Sequence, residues 1–189
     1  GLQLLAGDRD ALRGTKFILT LDSDTTLNIN AAKRMIGTML HPMNRPKIDP
    51  KRKVVTQGYG ILQPRMAVNL TESGKTRFAR VLAGQGGTDP YGCLSSAVYH
   101  DLFDLGSFTG KGLLDVEAFH TCLEKRFPDN RVLSHDLLEG AYLHAGFLSD
   151  VELTDGFPTR CGSYYKRLHR WVRGDWQASP WLFHTVKTA

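Results

Sequence analysis

The fold of this chain is decided by the stretch from Lys16 to Thr25, which reads KFILTLDSDT. Its first half is an apolar, β-rich run that ends abruptly in a polar cluster, a pattern typical of a buried strand emerging from a parallel sheet. Side chains at positions i and i+2 of an extended chain point the same way, so Asp22 and Asp24 are expected to face one spot. Open α/β sheets bind their ligands at this carboxyl edge of the strands.

Two neighbouring carboxylates favour a cation between them, because adjacent like charges are costly. Hard oxygen ligands suit Mg²⁺ or Mn²⁺, and these ions bring phosphate oxygens with them. A DxD pair holds such a metal on the diphosphate of a nucleotide sugar in glycosyltransferases. The residues Asp22, Asp24 and Thr26 also fit the DxDxT motif of haloacid-dehalogenase-type phosphatases. That class needs a later GDxxxD-type motif, and Gly174-Asp175 runs into WQA instead. A strand end with two solvated acids is the simplest alternative.

The rest of the chain alternates between strand and helix patterns. The predicted elements are a helix after Asn30, a strand over Val54–Leu62 interrupted by glycines, a helix over Thr76–Leu82, a loop over Gly84–Gly92, helices over Asp115–Lys125 and His135–His144, a strand over Leu148–Leu153 and a helix over Tyr164–Trp176. Residues 42–53 are predicted to form a basic, solvated loop. This alternation predicts a three-layer α/β architecture with a mostly parallel sheet.

Length and composition narrow the class of protein without fixing its ligand. The chain has 189 residues, enough for one domain with a substantial core, and a formal net charge of +5. A basic chain suits a phosphate-bearing ligand, a nucleic acid or an anionic membrane surface. No apolar run is long enough to cross a bilayer. The three widely spaced cysteines fit neither a disulfide framework nor a CxxC metal site, which favours a reducing compartment.

Two shorter segments carry candidate chemistry. The segment Ser134–Gly140, SHDLLEG, places Asp136 in the first turn of a helix, where the helix dipole favours the ionised carboxylate. Asp136 can therefore accept a proton. The alternative is that it only stabilises the start of the helix. His135 and Glu139 share a helix face that permits metal ligation, but we find no third ligand at a matching spacing. Gly106–Gly112, GSFTGKG, is one residue too short for a P-loop and has glycine where a metal-binding Ser or Thr is needed. A sugar-accommodating backbone and an empty tight turn both remain open for this segment.

The basic, aromatic segment Tyr164–Trp176 is the third candidate. On a helix, Arg167 and Arg170 project from one face and can grip a diphosphate. Trp171 offers a flat surface on which a sugar can stack. The alternatives are a nucleic-acid-binding helix or a membrane-interface helix with snorkelling arginines.

Taken in order, these motifs resemble the signature of processive, family-2-like inverting glycosyltransferases. The series reads Asp22-Ser23-Asp24, then His135-Asp136, then RLHRW at 167–171. The segments between them resemble the transferase domain of bacterial cyclic β-1,2-glucan synthases, notably QPR at 63–65, GGTDPY at 86–91, GSFTGKG at 106–112, RFP at 126–128, LSHDLLEG at 133–140 and HRWVRGDWQ at 169–177. The resemblance extends from about Gly7 to Gln177.

The resemblance implies a GT-A-like three-layer sandwich, a UDP-glucose donor, a glucan acceptor and no nucleic-acid partner. It implies that Asp22 and Asp24 hold the diphosphate with Mg²⁺ or Mn²⁺ and that Asp136 is the general base. Arg167, Arg170 and Trp171 would close over pyrophosphate and acceptor. Ser134-His135-Asp136 replaces the more usual Thr-Glu-Asp, which fits the glucan synthase subgroup.

The resemblance also implies a longer parent protein. Relatives carry a nucleotide-binding βαβ segment before DxD, whereas only residues 1–21 precede it here. We therefore expect residues 1–189 to be a single partial catalytic core, with the N-terminal nucleotide-binding part missing. Its place would be the cytoplasmic face of the bacterial inner membrane, beside the helices of a multi-pass parent. The isolated piece is expected to be inactive and to self-associate. A non-catalytic module that binds phosphate ligands or docks on a membrane is the alternative from another class.

Overall fold

The computed structural model describes residues 8, 10–83, 100–128 and 131–183, which form a mixed α/β structure. The strands are β1 (Phe17–Thr20), β2 (Thr25–Thr26), β3 (Lys47–Asp49), β4 (Val54–Gln57), β5 (Ile61–Val68), β6 (Gly112–Asp115) and β7 (Ala145–Asp155). The helices are α1 (Ala31–Leu40), α2 (Leu70–Ser73), α3 (Arg77–Leu82), α4 (Val116–Leu123), α5 (Asp136–Leu143) and α6 (Cys161–Ala178). None of the helices in these ranges is long and apolar enough to span a bilayer.

The main sheet has five strands in the order β1-β6-β5-β7-β2, and β3 pairs with β4 separately. Only β5 and β7 pair in parallel among the described strands; β6 runs antiparallel to both of its neighbours, and β2 runs antiparallel to β7. The prediction of a mostly parallel sheet is therefore wrong. The prediction fails because of β6, which runs antiparallel between two strands of the same direction. Its four residues, GLLD, are too few to show a periodicity in the sequence.

Helices cover both faces of the main sheet. Neighbouring residues of one strand point to opposite sides, so Ile61 enters one core cluster and Leu62 the other. The cluster of Ile61 is completed by residues of α4 and α5, and that of Leu62 by residues of α1. The sheet therefore has a core cluster on each side, and the expected mixture of helices and strands is confirmed.

The strand predicted over Val54–Leu62 is in fact two strands. Gly58 has a φ of 66°, and a Cβ at this position would lie 2.1 Å from the carbonyl oxygen of Arg45. The chain therefore turns here, as only glycine does readily. The second strand, β5, continues through Pro64, where the register with β7 shifts. A proline is tolerated at such an irregularity because it cannot donate to the sheet.

Most predicted helices are confirmed, with boundaries close to those expected. Thr76 caps α3 by accepting a hydrogen bond from the amide of Ala79, and Asp115 caps α4 in the same way through Ala118. The helix predicted from His135 begins at Asp136. The basic loop 42–53 contains β3, which the sequence pattern missed. The loop predicted over Gly84–Gly92 lies outside the described residues.

Candidate active site

The carboxylate pair lies where the sequence places it, directly after β1. The amide of Thr25 donates to the carbonyl of Asp22 at 3.1 Å, so the pair occupies a tight turn between β1 and β2. Asp22 Oδ2 lies 3.2 Å from Lys111 Nζ, and Asp24 Oδ2 lies 3.0 Å from a terminal nitrogen of Arg167. Each aspartate thus has its own cation.

Lys111 is a site residue that sequence reasoning missed. Its side chain is only 10% exposed and bridges two acids, because Nζ also lies 3.1 Å from Asp155 Oδ2 at the end of β7. The hydroxyl of Thr25 donates to Asp155 Oδ1 at 2.6 Å, which closes the network onto the turn that carries Asp22. Burial lowers the pKa of Lys111, but the charges and hydrogen bonds of Asp155 and Asp22 outweigh it, so the pKa is raised.

The segment that carries Lys111, residues 106–111, is held by a buried glutamine. The side-chain oxygen of Gln63 accepts from the amide of Thr109 at 3.0 Å and from its hydroxyl at 3.2 Å. The side-chain nitrogen of Gln63 donates to the carbonyl of Pro64 at 2.9 Å. The segment leads into β6 and not into a helix, which agrees with the exclusion of a P-loop.

Asp136 rests against the same segment. The hydroxyl of Ser134 donates to Asp136 Oδ2 at 3.0 Å. Gly110 has a φ of 85°, and a Cβ there would lie 3.2 Å from that same carboxylate oxygen. Gly110 and Lys111 are adjacent, so Asp136 lies against one residue of this segment and the side chain of the next residue reaches Asp22. The structure thus brings the predicted base and the predicted metal pair to a single segment.

The helix α6 brings some of the predicted cationic and aromatic residues to the site. Arg167 pairs with Asp24, and its guanidinium carbon lies 5.9 Å from the ring centroid of Trp171. Arg170 is exposed and contacts neither aspartate within the described part of the chain. Arg167 is therefore at the carboxylate pair and Trp171 lies beside Arg167, whereas Arg170 is on the helix surface.

The carboxyl-terminal half of α6 lies against the turn before Asp136. A Cβ at the buried Gly174 would lie 3.1 Å from Ser134 Cβ, and the side-chain oxygen of Gln177 accepts from the amide of Leu133 at 2.8 Å. Burial and the charge of Asp136 raise the pKa of Asp175, a carboxyl group that the sequence analysis did not assign to the site. One helix therefore reaches from the Asp22–Asp24 pair to the turn that precedes Asp136.

His135 and Glu139 form a pair that stabilises α5. His135 Nδ1 lies 2.7 Å from Glu139 Oε1, and the ring of Phe127 stacks on the imidazole with centroids 5.1 Å apart. With Asp136 they form a group of three potential metal ligands whose atoms lie within 4.8 Å of one another, so the expectation that no third ligand exists is wrong. Because Glu139 is buried and already paired with His135, we assign this group a structural role.

This pair gives a pH-dependent stability. The hydrogen bond to the Glu139 carboxylate raises the pKa of His135 above its ordinary 6.5; burial opposes the shift, and the charges of Glu139 and Asp136 add to it. A raised folded-state pKa means that the stabilisation is complete below the ordinary value and is lost as the pH rises through the folded-state value. We expect the melting temperature to fall as the pH rises above 6.5. The His135→Gln variant should lack this part of the dependence of melting temperature on pH.

The expected effect is small, below about 1 kcal/mol, because the histidine side chain is partly exposed to solvent. The matched control is His120→Gln, since His120 is an exposed histidine of α4. Melting curves recorded by circular dichroism across this pH range measure the effect. Equal slopes for the His135→Gln variant and the wild-type chain would contradict the assignment.

The donor set after β1 suits a hard divalent cation. Both ion pairs use Oδ2, and neither Oδ1 of Asp22 or Asp24 takes part in a hydrogen bond within the described ranges. The side chain of Asp22 is 60% exposed and that of Asp24 is 36% exposed, so both can reach a ligand arriving from solvent. Magnesium is bound in proteins by one or two carboxylates together with substrate phosphates. The residues present therefore fit a metal–diphosphate ligand.

Comparison with known proteins agrees with the resemblance read from the motifs. No protein-family model matches the chain. The chain is 43% identical over 191 aligned residues to the cyclic β-(1,2)-glucan synthase NdvB of Rhizobium meliloti (strain 1021). The alignment covers 96% of this chain and 7% of that protein, so the chain spans a small part of its relative's length. Over nearly its whole length, then, this chain is similar to part of a cyclic β-1,2-glucan synthase.

Proposed function

We propose that this chain is part of the catalytic core of a glycosyltransferase that moves glucose from UDP-glucose to a growing β-glucan. The observation that carries the proposal is the placement of Asp22 and Asp136 at two adjacent residues, Lys111 and Gly110, of one fixed segment. An inverting transfer needs a metal–diphosphate site and a proton acceptor in the same active site, and the shared segment supports this arrangement. The similarity to a glucan synthase supports glucose as the sugar.

The proposed chemical step uses Asp136 as a general base. Its carboxylate accepts the proton of an acceptor glucose hydroxyl as that oxygen attacks the anomeric carbon. The new glycosidic bond forms while the bond to the diphosphate oxygen breaks, and UDP leaves from the opposite face with inversion. Ser134 donates to Oδ2 and so holds the carboxylate in one orientation.

The leaving diphosphate is stabilised by the other half of the site. Asp22 and Asp24 would hold Mg²⁺ or Mn²⁺, which supplies positive charge to the leaving diphosphate. Arg167 already lies at Asp24, and Arg170 is one helical turn further along α6. Two guanidiniums on one helix face suit the oxygens of a diphosphate. Trp171 stacks on the sugar.

The setting we propose is a longer membrane protein, with this core at the cytoplasmic face of the bacterial inner membrane beside its membrane helices. The chain matches 7% of its relative, which leaves room for such parts. Separated from the rest of such a protein, the isolated chain would be a poor enzyme and would self-associate. The full-length protein should transfer radiolabelled glucose from UDP-glucose, with release of UDP, into a glucan that a β-1,2-specific glucanase degrades. Absence of incorporation by an intact, membrane-inserted protein would overturn the proposed function.

One observation favours a second candidate, docking on an anionic membrane surface. Four exposed apolar side chains form a stripe along α6: Tyr165, Leu168, Val172 and Trp176. Trp176 is 74% exposed. Exposed cations flank the stripe at Lys166, Arg170 and Arg173. An apolar stripe bordered by lysine and arginine is typical of a helix that lies in a membrane interface.

This candidate predicts that Val172→Ser/Trp176→Ser weakens binding to vesicles containing phosphatidylglycerol by about tenfold or more, because apolar burial supplies much of the affinity of such helices. Sedimentation with vesicles of phosphatidylglycerol or phosphatidylcholine measures it. The control is Val81→Ser/Leu102→Ser, which alters two other exposed apolar residues, 79% and 71% exposed. Equal loss by both double variants would argue against a docking role for α6.

A further inference from the structure

The carboxylate pair belongs to a larger set of charges than the DxD motif indicates. Three carboxylates, those of Asp22, Asp24 and Asp155, lie beside two cations, Lys111 and Arg167. The set therefore carries one more negative than positive charge. Lys111 is the member on which this balance depends, because it contacts two of the three acids.

Removing Lys111 would change what the set attracts. Three carboxylates with a single arginine form a strongly negative site, which favours a bare divalent cation. With Lys111 in place, the attraction for a bare cation is weaker. A nucleoside diphosphate carries more negative charge than one divalent cation neutralises, so its metal complex is anionic and is attracted by the same lysine.

Lys111 and Arg167 differ in how firmly they are held. The Lys111 side chain is 10% exposed and tied to acids on both sides, whereas the Arg167 side chain is 28% exposed and has one acid partner among the described residues. Arg167 can therefore move from Asp24 to an arriving diphosphate, but the charge of Lys111 stays in place. A fixed charge acts equally before and after the ligand arrives, which is what a selectivity determinant requires.

We propose that Lys111 is a specificity-determining residue that makes the Asp22–Asp24 pair bind a divalent cation together with a diphosphate in preference to the cation alone. The inference rests on the proposed function and deepens it by assigning the selectivity of the same site. Asp155 has the opposite effect on the charge balance. The hydrogen bond from Thr25 to Asp155 Oδ1 survives replacement by asparagine, since the amide oxygen still accepts.

The test compares the dissociation constants of Mn²⁺ alone and of Mn²⁺–UDP in the full-length protein, by calorimetry and by manganese electron paramagnetic resonance. Lys111→Met should bind Mn²⁺ alone no more weakly than wild type and Mn²⁺–UDP about threefold or more weakly, a change expected for one unit charge at short range. Asp155→Asn should shift the ratio of the two constants in the opposite direction. Lys111→Arg, which keeps the charge, should stay within about twofold of wild type.

The control Lys47→Met makes the same change at an exposed lysine of β3 and should leave both constants unaltered. If circular dichroism shows that Lys111→Met does not fold, Lys111→Gln replaces it, because its amide still donates to a carboxylate. A parallel loss of both affinities in the Lys111 and Asp155 variants would reduce Lys111 to a structural residue and overturn the inference. A wild-type protein that binds no Mn²⁺–UDP would instead overturn the proposed function.

Discussion

Replacing Asp136 with asparagine is expected to lower glucosyl transfer by the full-length protein by about a hundredfold or more, because an amide cannot accept the acceptor's proton. Asparagine keeps the shape of the side chain and can still accept the hydrogen bond from Ser134. Donor affinity should therefore change little, and the loss should appear in the turnover number. Initial rates with radiolabelled UDP-glucose, together with calorimetric binding of UDP, separate the two effects.

The matched control is Asp150→Asn, which changes an exposed aspartate of β7 that pairs with Arg34 on the surface. Its rate should stay within about twofold of wild type, as for most surface substitutions. If Asp136→Asn retains near-normal turnover, Asp136 is not the base, and its place at the start of α5 is structural.

The second large effect is expected from the metal pair. Asp22→Asn/Asp24→Asn should weaken binding of Mn²⁺–UDP by about a hundredfold or more, because both hard, charged ligands are lost together. The changes also remove the carboxylate partner of Arg167 and one of the two carboxylate partners of Lys111. Calorimetry with Mn²⁺ and UDP measures the loss, and circular dichroism checks that the variant is folded.

Asp150→Asn/Glu152→Gln serves as the control for this double variant, since it removes two carboxylates of β7 that pair with Arg34 and Arg65. It should bind Mn²⁺–UDP like wild type. Unchanged binding by the Asp22/Asp24 variant would show that the pair does not ligate the metal, and only Arg167 and its neighbours would remain as donor contacts.

The parts of the fold that could be predicted are those with a strong local pattern. The run before Asp22 is apolar and ends sharply, and α1, α4 and α6 are long enough for helical spacing to show. The direction of strand pairing could not be predicted, because β6 is four residues long and follows a glycine-rich segment. A short strand inserted between two others reverses the pairing on both sides and leaves no local signal.

The residues of the candidate site likewise divide into those with a local sequence pattern and those without one. Asp22, Asp24, Asp136 and Arg167 were identified because each lies in a motif of fixed spacing. Lys111 and Asp155 carry no such pattern because their partners are distant in sequence, and the GKG at 110–112 resembles only an incomplete P-loop. A lone lysine in a glycine-rich segment, in a chain with an acidic strand end, is a signal that could have drawn attention to it.

The adjacency of Gly110 and Lys111 has a consequence for how such a site can vary. In the proposed site, Asp136 lies against Gly110 and the side chain of the next residue, Lys111, reaches Asp22, so the base and the metal pair rest on one stretch of backbone. A change that shifts this backbone moves both partners at once, so donor and acceptor preferences are expected to drift jointly among variants of the segment. Residues outside this segment would have to change the donor preference and the acceptor preference separately. These would be residues of α6 on the nucleotide side and of the turn at Ser134 on the glucan side.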